Sequence, residues 1–465
     1  MENKQSLSSP AGERENIMGT MDINPLLIKL SVPMMVSMLV QALYNVVDSI
    51  FVSHVSESAL TAVSLAFSLQ NVMIAVGVGT GVGVNALLSK SLGEKNQERA
   101  NKTAENGIFL SLCSYAVFLV IGLTCMKPYF YAQTSDMDIA RQGIQYLQLC
   151  CVLSLGLFTQ TMGEKLLAAT GRTNLNMTSQ LIGAVVNIVL DPIFIFGYCG
   201  EALSGTTGAA VATVIGQIVA FLLAMVCHFR KNPEVRLSRK GMRLHRSVMK
   251  SILAVGVPSI IMVAIGSVMN FTMNQILIGF TSTAVAVFGA YFKLQSFIFM
   301  PIFGLNNAMV SIVAYNYGAR KPDRIRKAVL FSCMAAFLFM LCGFAVFQLM
   351  PEVLLSMFDP TAEFLAIGCK ALQTISWAFP IAGFCVVLSS VFQALGTGLY
   401  ATIVSLARQL LVLLPVAYLL SLSGRLELVW WSFPIAEMAS ITVTALLLLR
   451  IYRQKLRPIL EEERA

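Results

Sequence analysis

The segment VPMMVSMLVQALYNVVDSIFV (32–52) lies over VPSIIMVAIGSVMNFTMNQIL (257–277) at an offset of 225 residues. The register then continues without a gap. Val32, Pro33, Asn45, Phe67, Gln70, Gly79, Gly93, Arg99 and Lys102 fall on Val257, Pro258, Asn270, Phe292, Gln295, Gly304, Gly318, Arg324 and Lys327. Ala169 and Gly171 fall on Ala394 and Gly396. Apolar periodicity alone would not also align Asn, Gln, Arg, Lys and Pro, so the chain reads as an internal duplication.

Working outward from that pair, nearly uncharged stretches long enough to cross a bilayer as a helix recur twelve times. They lie at about 26–52, 58–88, 107–126, 143–169, 174–198, 208–229, 248–278, 283–315, 328–350, 366–395, 399–422 and 430–450. The runs are continuous rather than alternating, which argues against a membrane β-barrel. Composition agrees: 56% of residues are hydrophobic and 12% charged, about half the charged share of a soluble domain. The expected fold is all-α and membrane-embedded, with twelve transmembrane helices in two six-helix lobes. Six is even, so the two repeats run parallel, related by an axis along the membrane normal.

Lys and Arg outnumber Asp and Glu by 33 to 24. The excess sits in alternate loops. Lys90, Lys95, Arg99 and Lys102 come after the second span, and a basic stretch from Arg230 to Lys250 comes after the sixth. Arg320, Lys321, Arg324, Arg326 and Lys327 come after the eighth; Arg450, Arg453, Lys455 and Arg457 close the chain. Loops 53–58, 199–207 and 279–283 hold no Lys or Arg. Basic loops stay in the cytoplasm, so both termini are expected there, in a multi-pass protein of the plasma (inner) membrane. Topology thereby accounts for the charge, and a nucleic-acid partner is not expected. The expected layout is a disordered polar N-terminus (1–22), a first lobe (23–229), a basic cytoplasmic linker (230–247), a second lobe (248–453) and a cytoplasmic tail (454–465). The polar start has no apolar core of the kind a cleaved signal peptide carries. The ten cysteines include no C-x-x-C and lie mostly inside apolar runs, as small buried hydrophobes do.

An ionisable group in the middle of a span costs about 2.5–3.5 kcal/mol on insertion scales and by default marks function. The first half has Asp48, Glu164 and Asp191. Gln41, Tyr44, Asn45 and Asp48 recur at helical spacing and are expected on one face of the first span. Asn187 precedes Asp191 by one turn, Gln160 precedes Glu164, and Thr213 precedes Gln217. These stripes are expected to converge on a wet cavity in the first lobe. Asp48, Asp191, Asn187, Tyr44, Thr213 and Glu164 are then the candidate proton- or cation-coupling residues, with Gln41, Asn45, Gln160 and Gln217 beside them in the substrate cavity. In a second reading Glu164 and its neighbour Lys165 snorkel toward the cytoplasm. At the 225-residue offset the three acids face Met273, Ser389 and Val416, so the scaffold is duplicated and the acids are not. The second half offers Asn270, Asn274 and Lys293 as further cavity candidates, and Glu437 as a structural acid. Buried carboxylates of this kind can load and release a proton; alternatively the oxygens of Asp48, Asp191, Asn187 and Thr213 could ligate Na⁺. No cofactor is expected. The glycine-dense VGVGTGVG (76–83) lacks the phosphate-loop pattern and lies inside a span, where glycines serve close helix packing. ATP is therefore not an expected partner.

Several stretches together resemble the multidrug and toxic compound extrusion (MATE) family: LSVPMMVSMLVQALYNVVDSIFVS (30–53), SLGEKN (91–96), LAATGRTNLNM (167–177), NIVLDPIFIFG (187–197), YNYGARKPDRIRKA (315–328) and VFQALGTG (391–398). The pairing of YN-x-x-D with N-x-x-x-DP looks like the prokaryotic branch that holds the DinF-like and MepA-like transporters. That resemblance implies a two-lobed antiporter, working as a monomer, that exports small organic, often cationic, compounds against inward flow of H⁺ or Na⁺. It implies a first-lobe cation site at Tyr44, Asp48, Asn187, Asp191 and Thr213. Glu164 departs from the pattern, standing where Asn is common. A lipid-linked saccharide flippase of the same superfamily is the alternative. Neither a metal-spaced nor a nucleophile–base constellation supports an enzyme.

Overall fold

Inside a bilayer no water is present to pair backbone N–H and C=O groups, so a run of this length and apolarity has to become helix. The computed structural model describes residues 16–464 apart from 54, 199, 201–203, 238–243 and 359–360. Among the described residues there are helices and no strand. Ten helices are long and apolar enough to span a membrane, and two bent pairs bring the spans to twelve. The fourth span is Met137–Val152 plus Leu155–Ala169, bent by 47°, and the tenth is Ala362–Ser376 plus Phe379–Ala394, bent by 51°.

The duplication extends to matching helices and their caps. The second span (Glu57–Gly93) and the eighth (Ser282–Gly318) are each 37 residues long, about 55 Å at helical rise, well beyond the hydrocarbon core. Each is capped by a hydroxyl 225 positions from the other. Ser56 Oγ accepts from the Ala59 amide and Thr281 Oγ1 from the Ala284 amide, both at 3.0 Å.

The eleventh span departs from regular geometry. Gly398–Leu406 is α-helical, Ala407–Leu413 is a π-helical segment, and Leu414–Ser421 resumes the α-helix. Arg408, at the start of the π segment, donates to Glu437 of the twelfth span (Ser432–Ile451) at 3.0 Å.

The lobes meet where glycines remove side chains. A Cβ on Gly304 would stand 2.5 Å from Met35 Cα of the first span (Ile23–Ser53). Its repeat image, Gly79, would meet the seventh span (Arg246–Ile278) at Ile260, 3.0 Å from the backbone nitrogen. Nearer the basic loops, a Cβ on Gly93 would overlap the Tyr315 carbonyl oxygen, and one on Gly318 would overlap that of Lys90. Lys90 and Tyr315 are themselves 225 apart, so the contact is a local two-fold. All four approaches fall in the half of each helix nearer the basic face.

Residues 16–22 were expected within a disordered tail that begins at residue 1. Residues 1–15 lie outside the described residues, and the segment from residue 16 onward is built into the molecule. Ile17–Thr20 forms a helical turn capped by Asn16, whose side chain accepts from the Met18 amide at 2.8 Å. Asn16 Nδ2 also donates to the Thr170 carbonyl at 3.3 Å and to the Glu234 carboxylate. On the other lobe Arg324 donates to the carbonyls of Met18 and Met21 at 3.0 and 2.6 Å. Lys321 donates to that of Gly19 at 3.1 Å. Met18 is fully buried. Burial pushes the Glu234 carboxyl above its ordinary range, against the opposing pull of Asn16 and Arg172. The anchoring groups come from 154 to 306 positions away, which is why local composition did not announce them. The linker 230–247 includes residues 238–243, outside the described set.

Candidate functional site

The site begins with a helix–helix approach. In the fifth span (Thr173–Ile195) and the sixth (Gly205–Lys231), Gly183 and Gly216 face each other. A Cβ on either would stand 2.8–2.9 Å from the other's carbonyl oxygen. Backbones this close bring short polar side chains of both helices within reach. Asn187 Nδ2 donates to Asp191 Oδ1 at 3.2 Å and lies 3.4 Å from Thr213 Oγ1 across the seam.

The first span turns this seam into a small, partly open cavity of about 50 Å³. Ser37, Gln41 and Tyr44 form one wall, Gln160 and Gln180 a second, Asn187, Thr213 and Gln217 a third. The lining mixes these polar side chains with Val40, Ala184 and two glycines and carries no charge, and the acids stand directly behind it. Glu164 Oε1 accepts from Gln160 at 2.8 Å and Oε2 from Gln180 at 2.9 Å. Asp191 is fully buried behind Asn187. Asp48 stands one turn past Tyr44, itself a lining residue.

Three oxygens in this region are buried with no hydrogen-bond partner: Asp48 Oδ1, Asp191 Oδ2 and Asn187 Oδ1. A buried polar atom left unpaired costs about 1–3 kcal/mol. All three are hard acceptors, the set that a proton or a small alkali cation would complete. Groups of three or more His, Cys, Asp or Glu able to hold a resident metal are absent among the described residues.

Several residues named from sequence fall elsewhere. Asn45 is exposed and outside the cavity lining. It stands one turn past Gln41 but about 100° around the helix from Tyr44, on the edge of the polar face away from the cavity. Asn270, Asn274 and Lys293 belong to the other lobe and do not line this cavity; Lys293 lies over the Phe358 ring at 6.0 Å. Glu164 and Lys165 do not snorkel: both are buried, at 8% and 6% exposure. The lining residues that sequence reasoning passed over are Ser37, Val40, Gly183, Ala184 and Gly216. The pairing of glycines at 183 and 216 was the available signal for the close seam.

The seam gives a direct test. Gly216→Leu forces the fifth and sixth spans apart, at a cost of about 1–3 kcal/mol for overpacking. The expected result is a lower melting temperature in detergent and loss of any cation-induced stabilisation, which needs Asn187 and Thr213 together. Retention of the full cation-induced shift would show that the seam does not build the site.

A family model, MatE, matches residues 33–193 and again 258–419. Multidrug export protein MepA of Staphylococcus haemolyticus is 27% identical over 411 residues, covering 88% of this chain and 89% of that protein. Probable multidrug resistance protein YoeA of Bacillus subtilis is 25% identical over 416 residues, covering 88% and 90%. Among solved structures, the outward-facing conformation of a multidrug resistance MATE family transporter of the MOP superfamily superposes with a TM-score of 0.89. That pair is 27% identical over 95% of this chain and 98% of the other.

Proposed function

This chain belongs to the MatE family, and from that premise we propose that it is a secondary antiporter. It exports small organic, cationic and amphipathic compounds in exchange for H⁺ or Na⁺. The observation that carries this is the convergence of three acids from one repeat behind a single uncharged cavity, with Asp48 Oδ1 and Asp191 Oδ2 unpartnered. An ion arriving there satisfies oxygens that are costly to leave bare. An uncharged lining of amides, hydroxyls, the Tyr44 ring and small apolar side chains suits a lipophilic cation that carries its own charge. Lobes whose close glycine approaches lie toward the basic face can separate there and close on the other side. By the distribution of Lys and Arg, the basic face is the cytoplasmic one.

The flippase alternative would draw support from arginines lining the cavity. The lining side chains are instead Ser, Gln, Tyr, Asn, Thr, Val and Ala, none of them charged.

The test is exchange in proteoliposomes loaded with a fluorescent organic cation, under a pH gradient and a Na⁺ gradient imposed separately. Efflux accelerated by one gradient and not by an equal membrane potential alone is the expected result, and it names the ion. Equal efflux with and without both gradients would overturn the antiport reading.

A further inference from the structure

Lys165 is a second buried charge next to the site, and neither the ion seat nor the cavity wall uses it. Its stem runs over Gly81 of the second span, where a Cβ would stand 2.7 Å from Lys165 Cγ. Its ammonium crosses to the other lobe and donates to Asn307 Oδ1 of the eighth span at 2.7 Å. A second polar bridge lies alongside, from Ser311 Oγ to Asn85 Oδ1 at 2.9 Å. The residue before Lys165 is Glu164, whose two oxygens are held by cavity-wall glutamines. The fourth span thus presents one side chain to the cavity and the next to the lobe–lobe contact.

We propose that Lys165 is the positioning residue that carries the ionisation of Glu164 to the contact between the lobes. The inference rests on the antiporter reading and deepens it. With Glu164 ionised, the 164–165 pair is neutral overall and a buried ammonium is tolerated against Asn307. When a proton from the cavity settles on a Glu164 oxygen, or a cation neutralises it, the ammonium loses its counter-charge in a low-dielectric seam. A buried charge without a partner is strongly disfavoured, and the relief available is hydration. Parting the lobes on the basic face supplies that water. Ion loading would in this way open the side from which cargo is collected, which is the order an exporter needs.

The groups facing this pair are few. Tyr44 from the first span lines the same cavity as the glutamines that hold Glu164, and Lys165 adjoins Glu164 on its own helix. The fifth span presents Gln180, the second presents Gly81, and the eighth presents Asn307. The acid next to Lys165 in the chain is Glu164.

The test uses the full-length protein in lipid nanodiscs with spin-labelled noncanonical residues at positions 98 and 323, both exposed at the basic ends of the third and ninth spans. In the wild type, lowering the pH or adding Na⁺, whichever is the coupling ion, is expected to raise the lobes-apart population at least about tenfold, the scale of one opposite charge beside a buried ion. Lys165→Gln keeps a donor for Asn307 and removes the charge, so the response should vanish while ion-dependent binding of a fluorescent organic cation stays within about twofold. Glu164→Gln should hold the lobes apart whatever the ion, and Glu164→Gln with Lys165→Gln should close them again. A merely structural lysine would give no ion-specific loss in Lys165→Gln and no rescue in the double variant; either finding overturns the coupling role. If the wild type shows the ion response but no exchange in vesicles, the antiporter reading fails and the link survives. If exchange runs normally in Lys165→Gln, the link fails and the antiporter stands.

Discussion

Asp191→Asn is expected to silence ion-driven exchange while leaving the protein folded and able to hold its cargo. Asp191 is fully buried; one carboxylate oxygen accepts from Asn187 and the other has no partner. Asparagine is nearly the same shape and keeps an acceptor for Asn187, so the packing of the fifth span survives. What disappears is a group that can bind a proton or offer a full negative charge to a cation. A ligand moves a conformational equilibrium only by its differential affinity for the two states, and a full swing from 1:99 to 99:1 takes about 10⁴-fold. Removing half of the acid pair leaves far less. Gradient-driven efflux from proteoliposomes should fall by about a hundredfold, toward the rate of protein-free vesicles. Binding of the fluorescent cation without a gradient should change little. Asp48→Asn should behave alike. Exchange at the wild-type rate in either variant would remove the proposed engine of transport.

Gly93→Ala is expected to be as disruptive, by a different route. The added methyl would overlap the Tyr315 carbonyl oxygen, which is backbone and cannot rotate away. The clash exists only while the lobes are together on the basic face, so the substitution penalises that state alone. Overpacking of this kind costs about 1–3 kcal/mol, which shifts the ratio of closed to parted lobes by roughly 5- to 150-fold. Label distances between positions 98 and 323 should lengthen without any added ion, and exchange should slow because the cycle cannot rest closed on that side. The two-fold character of the contact sharpens the expectation: Gly318→Ala, against the Lys90 carbonyl, should give a shift of the same size. Unchanged distances in both would mean that this seam does not hold the lobes together.

The architecture was legible because it rests on properties that a linear string carries directly. Apolar run length decides spans, alternating Lys and Arg order them, and the 225-residue offset divides them into two sets. The acids were legible because a carboxylate in hydrocarbon is expensive wherever it stands. What remained hidden depends on facing and on distant partners. Asn45 was grouped with Tyr44 because a polar stripe is a coarse guide to direction. Lys165 looked like a snorkelling cation beside Glu164; its stem in fact lies on Gly81, 84 positions earlier, and its ammonium meets Asn307, 142 positions later. Neither relation leaves a local trace. Residues 16–22 looked like the end of a polar tail because the donors that fix their carbonyls, Asn316, Lys321 and Arg324, lie in the other lobe.

The π-helical segment Ala407–Leu413 has a bearing on any attempt to engineer the second lobe. The alignment of the halves is gapless as text, so Val412 and Val416 stand where Asn187 and Asp191 stand in the first half. A π turn spends about one extra residue, which swings the later part of the helix by roughly a quarter of a revolution. Transplanting Asn and Asp to 412 and 416 would thus point them along a new compass bearing, away from the azimuth their originals occupy. Symmetry of letters is not symmetry of aim, and a transporter with twin ion seats would first have to straighten that turn.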